Sequence, residues 1–198
     1  MSIKKIITGL TLSMLLASGV ASAADYDSAY STYQSGNYEA AFKEMLPFAE
    51  QGNVDAQFYI ASMYDDGIGV LESDKAAAKW YTLAAKQGHV DAQFNLGIMY
   101  DEGNGVPESQ NRALEWYTLA AKQGHVDAQF NLGNMYIMEG SIFKDYILAY
   151  MWWNLSAYNG NNLAITFKNF LARELTPVQI EKAQDMSIRC LESNYKDC

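Results

Sequence analysis

Eighteen consecutive residues, Trp80 to Gly97, recur without change as Trp116 to Gly133, a shift of 36 positions. Self-similarity at a period of this length indicates one small unit of secondary structure that is stacked on copies of itself. In such an array each unit contacts mainly its neighbours. The repeat therefore constrains the architecture of the chain strongly, while its function has to be inferred from the surface that the stack presents.

The 36-residue period extends beyond the identical stretch. Several columns of the alignment keep one residue type in every unit: Gly52, Gly88, Gly124 and Gly160; Asp55, Asp91 and Asp127; Gln57, Gln93 and Gln129; Phe58, Phe94 and Phe130; Ala77, Ala113 and Ala149; Trp80, Trp116 and Trp152.

Each unit has the pattern of two helices. In the first half, Ala92, Leu96 and Met99 fall on one face of a helix, and Asp91 lies in its first turn, where the helix dipole favours an acid. In the second half, Ala77 and Tyr81 share a face by the same spacing. Glycine follows each second helix, as expected at a helix end.

Small residues are expected at the seam between neighbouring helices, because large rings on one helix need room on the next. Gly97 and Gly133 provide such room, and we expect them to lie opposite alanine pairs such as Ala84-Ala85 and Ala120-Ala121. A larger residue at Gly97 would then overpack the seam.

The turns complete a family pattern. Paired glycines form Gly67-Ile68-Gly69-Val70 and Gly103-Asn104-Gly105-Val106 between the helices. Together with the alanine, tyrosine, Trp-Tyr and closing glycine columns, they resemble the Sel-1-like repeat family, a branch of the tetratricopeptide (TPR) superfamily. The resemblance implies an all-α fold, an α/α solenoid of helix-turn-helix repeats. The repeats span 53–88, 89–124 and 125–160, and the third departs from the pattern at Glu139-Gly140-Ser141.

Both ends of the array read as caps. Residues 24–52 predict a shorter helical pair, Tyr26 to Gln34 and Tyr38 to Gln51. Residues 161–198 predict C-terminal capping helices. The last of these begins at Thr176-Pro177, with Gln179 completing a capping box.

The N-terminus has the features of a cleaved export signal at residues 1–23. Lys4 and Lys5 precede an apolar run from Ile6 to Ala17, and the small residues Ala21-Ser22-Ala23 form a cleavage site. The run is shorter than the roughly 20 residues that span a membrane, and no later stretch is long and apolar enough. We therefore expect a periplasmic or secreted bacterial protein without membrane insertion.

Charge limits the choice of partner. Lys4 and Lys5 are the only charged residues in the signal, so its removal changes the formal net charge from −9 to −11. A surface this acidic has no electrostatic attraction to the phosphates of nucleic acids. A basic or neutral protein or peptide is the expected partner.

The two cysteines, Cys190 and Cys198, lie close together at the end of a chain that we expect to be exported. An even number of cysteines in an oxidising compartment favours pairing. We expect one structural disulfide, which would stabilise the short C-terminal loop by roughly 2 to 3 kcal/mol.

The resemblance also implies a binding surface. In TPR-like stacks the first helices of successive units line a concave groove, which suits an extended peptide. Carried over to this chain, the groove residues are Asp55, Phe58, Ser62, Asp65, Asp91, Phe94, Ile98, Asp101, Asp127, Phe130 and Asn134. They predict a scaffold that binds another protein or peptide without catalysis and that is a monomer with capped ends.

No enzyme activity, metal or cofactor is expected. His89 and His125 are repeat-equivalent and lie about one unit apart, too far to share a metal, and the acidic turn at Asp101 to Gly105 lacks the alternating carboxylates of a calcium loop. The alternative function is a secreted enzyme that acts on cell-wall material or β-lactams. It depends on Ser141-Ile142-Phe143-Lys144, a Ser-x-x-Lys sequence without the Ser-Asp-Asn and Lys-Thr-Gly partners of that enzyme class.

The export signal and the cysteine pair make a prediction that one mass measurement checks. The protein recovered from the periplasm or the medium should begin at Ala24, and Cys190 and Cys198 should not react with an alkylating agent until a reductant is added. Intact mass before and after alkylation measures both features. A retained N-terminal segment or two reactive thiols in the native protein would contradict the prediction.

Overall fold

A computed structural model describes residues 23–138 and 143–198, with side chains from residue 25 onward. Within these ranges the chain forms ten α-helices and no strands, which confirms the all-α fold class. In chain order the helices are α1 (Ala23–Gln34), α2 (Tyr38–Glu50), α3 (Val54–Asp66), α4 (Asp74–Lys86), α5 (Val90–Glu102), α6 (Gln110–Ala121), α7 (Val126–Ile137), α8 (Tyr146–Tyr158), α9 (Asn162–Leu171) and α10 (Pro177–Glu192).

The helices stack in the order in which they occur in the chain. The most extensive contacts lie within the pairs α3 and α4, α5 and α6, and α7 and α8, and each pair also packs on the next. The end of the stack differs, because α10 packs on α8 and covers the last repeat. This arrangement confirms the α/α solenoid with a C-terminal capping helix.

One column of residues caps the first helix of every repeat. The side chains of Asn53, His89 and His125 accept hydrogen bonds from the backbone N–H of Ala56, Ala92 and Ala128 at 2.8, 3.2 and 3.1 Å. Asn161 does the same for α9 at 3.0 Å, so α9 begins like the first helix of a further repeat. These bonds satisfy N–H groups that a helix start otherwise leaves without partners.

The two-glycine turns lie against the preceding helical pair. Gly67 and Gly69 have positive φ angles of 64° and 73°, which only glycine adopts without strain. A Cβ atom at Gly69 would lie 2.5 Å from the carbonyl carbon of Tyr38, at the start of α2. The second glycine of the turn therefore permits a close contact between units as well as the turn itself.

Buried glutamines connect successive repeats. The side-chain amides of Gln57, Gln93 and Gln129 donate to the carbonyls of Ala49, Ala85 and Ala121 at 3.0, 3.1 and 3.2 Å. Their Oε1 atoms accept from Gln87, Gln123 and Asn159, the residues at the ends of the second helices, at 2.7, 2.8 and 3.0 Å. A buried amide is costly unless it is hydrogen-bonded, so this glutamine ladder fixes how one unit is placed on the next.

The C-terminal tail ends this ladder. Beyond α10 the chain turns back, so that the Tyr195 hydroxyl lies 2.9 Å from Nδ2 of Asn159. Cys190 and Cys198 form a disulfide across the same turn, with their Cα atoms 4.7 Å apart. The cross-link therefore holds the segment that carries Tyr195 against the last repeat.

The seam between the two helices of a repeat is filled by an aromatic ring. A Cβ atom at Gly97 would lie 2.6 Å from Cδ1 of Tyr117 in α6, and one at Gly133 would collide with the indole of Trp153 in α8. The expectation that these glycines give room to a large ring on the neighbouring helix is therefore confirmed, with Tyr117 and Trp153 as the rings. Ala84 and Ala85 are buried in a core cluster with Ala92, Leu96 and Met99 of α5.

A valine at Gly97 should destabilise the protein by about 1 to 3 kcal/mol, because its side chain would overlap the Tyr117 ring in a packed core. The free energy of unfolding in urea measures this loss. Glu115→Val, at an exposed position of α6, is the control for the cost of a β-branched residue in a helix.

The double variant Gly97→Val with Tyr117→Leu identifies the cause. If the ring is the obstacle, the two substitutions together should cost less than the sum of their separate effects. Additive losses, or a Gly97→Val variant no less stable than Glu115→Val, would contradict the ring contact.

Candidate functional site

The candidate groove residues lie on one side of the first helices α3, α5 and α7, which we call the first-helix face. Their exposure differs along each helix. Asp55, Asp91 and Asp127 are exposed at the helix starts, whereas the remaining predicted residues are half-buried: Phe58, Ser62, Asp65, Phe94, Ile98, Asp101, Phe130 and Asn134.

A histidine, a phenylalanine and an aspartate form the repeating unit of this face. The His89 ring stacks on Phe58 with their centroids 4.4 Å apart, and His89 Nε2 lies 3.8 Å from Asp55 Oδ1. One repeat later, His125 stacks on Phe94 at 4.3 Å, and its Nε2 lies 3.5 Å from Asp91 Oδ1. Each histidine belongs to the repeat that follows its partners, so the cluster is built across the junction between two units.

The backbone fixes the protonation state of these histidines. Nδ1 accepts the capping hydrogen bond from the helix, so it carries a lone pair and the ring proton is on Nε2, facing the aspartate. Burial lowers the pKa of His125, while Asp91 and Asp127 act in the opposite direction. The two histidines, which lie too far apart in the repeat to share a metal, are thus helix caps that also form part of the candidate site.

The third junction lacks the histidine. Asn161 takes its place, and Nδ2 of Asn161 lies 3.4 Å from Asp127 Oδ1. Phe130 is covered by Phe167 of α9, with ring centroids 5.5 Å apart in an edge-to-face arrangement. The pattern of ring, histidine and carboxylate therefore ends where the C-terminal helices begin.

Asp65 and Asp101 differ from the carboxylates at the helix starts. Asp65 Oδ2 accepts a hydrogen bond of 3.3 Å from the hydroxyl of the buried Tyr81. Burial and the neighbouring acid, Asp66, raise the pKa of Asp65, and burial with Glu102 raises that of Asp101. Asp65 therefore forms a link between α3 and Tyr81 of α4, and both carboxylates are less exposed than those at the helix starts.

Three other members of the predicted set are half-buried against the rest of the chain. Ser62 donates a hydrogen bond of 3.2 Å to Asp66. Asn134 buries its Oδ1 without a hydrogen-bond partner among the described residues. Ile98 packs against the C-terminal part of the core.

The N-terminal end of the first-helix face contains a depression that the sequence analysis missed. Its volume is about 200 Å³, and it lies between α1, α3 and α5. We call it the tyrosine pocket, and it is lined by Tyr26, Tyr30, Asp55, Phe58, Tyr59, His89 and Asp91.

A signal for this pocket was present in the sequence. The connection between α1 and α2 covers residues 35–37, whereas that between α3 and α4 covers residues 67–73. When this difference in length is allowed for, Tyr26 aligns with Phe58 and Tyr30 aligns with Ser62. A strict 36-residue shift conceals both matches, because it places Tyr26 opposite Ser62.

The described residues contain neither a metal site nor a membrane-spanning helix. Among residues 23–138 and 143–198, no group of three or more His, Cys, Asp or Glu side chains is placed to hold a metal ion. In the same ranges no helix has the length and apolar character needed to cross a membrane. Ser141 of the Ser-x-x-Lys sequence lies outside the described residues, and Lys144 Nζ lies 5.2 Å from the centroid of the Tyr146 ring.

The chain is similar to several solved structures, among them the following two. A Sel1 repeat protein from Oxalobacter formigenes is 32% identical, with a TM-score of 0.69 over 75% of this chain and 59% of that one. A protective antigen present in uropathogenic Escherichia coli strains, which displays an SLR fold, is 28% identical, with a TM-score of 0.60 over 79% of this chain and 42% of that one. The chain thus spans less than two thirds of either protein. No protein with a curated description matches it.

The family comparison assigns the repeats directly. The model of the Sel1 repeat matches residues 54–89, 90–125 and 126–161, which together make up more than half of the chain. Each matched unit begins one residue later than the repeats defined in the sequence analysis. These are the units whose helices, turns and glutamine ladder recur in the structure. The chain therefore belongs to the Sel1 repeat family.

Proposed function

We propose that this protein is an exported scaffold that binds another protein or peptide through its first-helix face and performs no catalysis. Sel1 repeat proteins generally bind other proteins. The finer proposal, that binding occurs on this face, rests on the surface that the repeats present.

The observation that carries the proposal is the recurrence of one cluster at successive junctions. Asp55, Phe58 and His89 have the same arrangement as Asp91, Phe94 and His125. The two aspartate side chains remain 65% and 59% exposed, beside half-buried rings. An extended peptide has a regular backbone spacing, so it can meet the same chemistry more than once along such a face.

Charge favours a basic or neutral partner. The exposed carboxylates of the first-helix face attract cationic groups and repel nucleic-acid phosphates. The cover of α10 over α8 supports a monomeric scaffold, because the last repeat is not left open to stack on another copy. The disulfide between Cys190 and Cys198 supports export, since such bonds persist mainly in oxidising compartments.

Photo-crosslinking in the living cell tests the proposed surface. A photoreactive amino acid at Ser62 or Asp66 of α3 should trap the partner. The same residue at Lys79 or Leu83, which are exposed on α4, should not. Equal capture from both helices, or capture from α4 alone, would contradict the proposal.

Substitutions then test the role of charge. Asp55→Asn with Asp91→Asn should reduce the crosslinked fraction at Ser62, because the variant loses the two exposed carboxylates of the repeating cluster. Glu44→Gln with Glu115→Gln is the matched control, since it removes the same charge from exposed positions of the second helices α2 and α6. Melting temperatures measured in parallel confirm that both variants are folded. An unchanged crosslinked fraction in the aspartate variant would show that these carboxylates do not bind the partner.

A further inference from the structure

The tyrosine pocket is lined by four aromatic rings, those of Tyr26, Tyr30, Phe58 and Tyr59, together with the imidazole of His89. Tyr59 lies at its centre, with its ring centroid 5.2 Å from that of Tyr30, 5.1 Å from that of Tyr33 and 5.4 Å from that of Phe58. The stacked rings of Phe58 and His89 form one wall. The faces of such rings carry partial negative charge and attract cations.

The polar groups of the pocket are also arranged for a cation. The carboxylates of Asp55 and Asp91 lie at its edge, and within the described ranges their ion-pair partners are His89 and His125 rather than lysine or arginine. Burial raises the pKa of the Tyr26 phenol, and the Asp55 charge adds to the effect. Burial and the hydrogen bond with Tyr30 raise the pKa of Tyr59. Tyr26 and Tyr59 therefore stay as neutral phenols at physiological pH.

The size of the pocket restricts its ligand. Its volume of about 200 Å³ is below the roughly 300 to 1,000 Å³ of pockets that enclose a drug-sized molecule. A single side chain suits this space better than a cofactor does.

We infer that the tyrosine pocket binds the guanidinium group of an arginine side chain in the partner. Guanidinium is planar, stacks on aromatic faces, pairs with carboxylates through two parallel hydrogen bonds and is more weakly hydrated than an ammonium group. The pocket offers both kinds of contact, whereas a lysine ammonium group would use the ring surface less fully. This inference rests on the proposed function and names the chemistry that the partner would present at one end of the first-helix face.

The neighbouring junction provides a natural comparison. Asp91, Phe94 and His125 repeat the frame, but Ser62 stands where the pocket has Tyr30, and Asn95 stands where it has Tyr59. Asn95 is already bonded to the Tyr81 hydroxyl at 3.0 Å. We therefore expect arginine recognition at the N-terminal junction and not at its neighbour.

Nuclear magnetic resonance of the mature protein with labelled tyrosine rings measures this directly. The probe is N-acetyl-L-arginine methylamide, and the control is the citrulline analogue, which has nearly the same shape without the charge. The arginine probe should shift the ring signals of Tyr30 and Tyr59 in a saturable manner, and the citrulline probe should not. Equal binding of both probes, or no saturable shift with arginine, would overturn the inference.

Variants locate the site. Asp55→Asn and Tyr59→Asn should each weaken binding of the arginine probe by about threefold to tenfold, the range expected for one ion pair or one ring contact. Glu115→Gln, on the exposed side of α6, should leave it unchanged. If Tyr59→Asn lowers the melting temperature, the test of the site is the binding of the arginine probe to Asp55→Asn, because that variant keeps the shape of the side chain. Undiminished binding in Asp55→Asn would overturn the site.

The result of the arginine-probe experiment can be distinguished from the result of the crosslinking experiment that tests the proposed function. If Ser62 traps a partner but the arginine probe binds nowhere, the first-helix face is supported and the arginine pocket is rejected. If the probe binds as expected but only α4 positions trap the partner, the pocket stands and the proposed route of partner binding is rejected.

Discussion

The contact between a glycine of the first helix and an aromatic ring of the second is the feature on which the second and third repeats depend, while Ala61 takes the glycine position in the first repeat. Tyr117 reaches Gly97, and Trp153 reaches Gly133, where any side chain would collide with the ring. The same rings lie behind the first-helix face: Tyr117 lies 5.9 Å from Phe94, and the Trp153 indole donates a hydrogen bond to the Phe130 carbonyl. The contact that closes the helical pair therefore also positions the phenylalanines of the candidate site.

The helical frame repeats from unit to unit, so a few substitutions are enough to give one junction of the first-helix face a different surface. The glutamine ladder and the stacking of His89 on Phe58 and of His125 on Phe94 place each unit on the next with the same geometry. Within this frame, Tyr30 and Tyr59 replace the serine and asparagine of the following junction. One end of the face thus gains a distinct aromatic pocket. This is how a repeat protein can acquire specificity while retaining its fold.

Much of the fold could be predicted from sequence because a 36-residue period restricts the helices to one arrangement. The capping box of Thr176 and Gln179 is another local pattern, and it is present in the structure. Contacts between units were harder to predict. The roles of Gln57 and His89 depend on partners that lie about 30 residues away in the sequence, and a repeating column does not reveal which atoms meet. The tyrosine pocket was missed because a shorter connection after α1 shifts Tyr26 and Tyr30 out of the common register.

The central claim is that the first-helix face accepts an extended chain that carries a cationic group. Selection of binders to the mature protein from a random peptide library tests it most directly, because the library imposes no choice of partner. Arginine-containing sequences should be enriched, and they should lose affinity for the Asp55→Asn and Asp91→Asn double variant. Enrichment of acidic or uncharged sequences that bind the double variant equally well would contradict the claim.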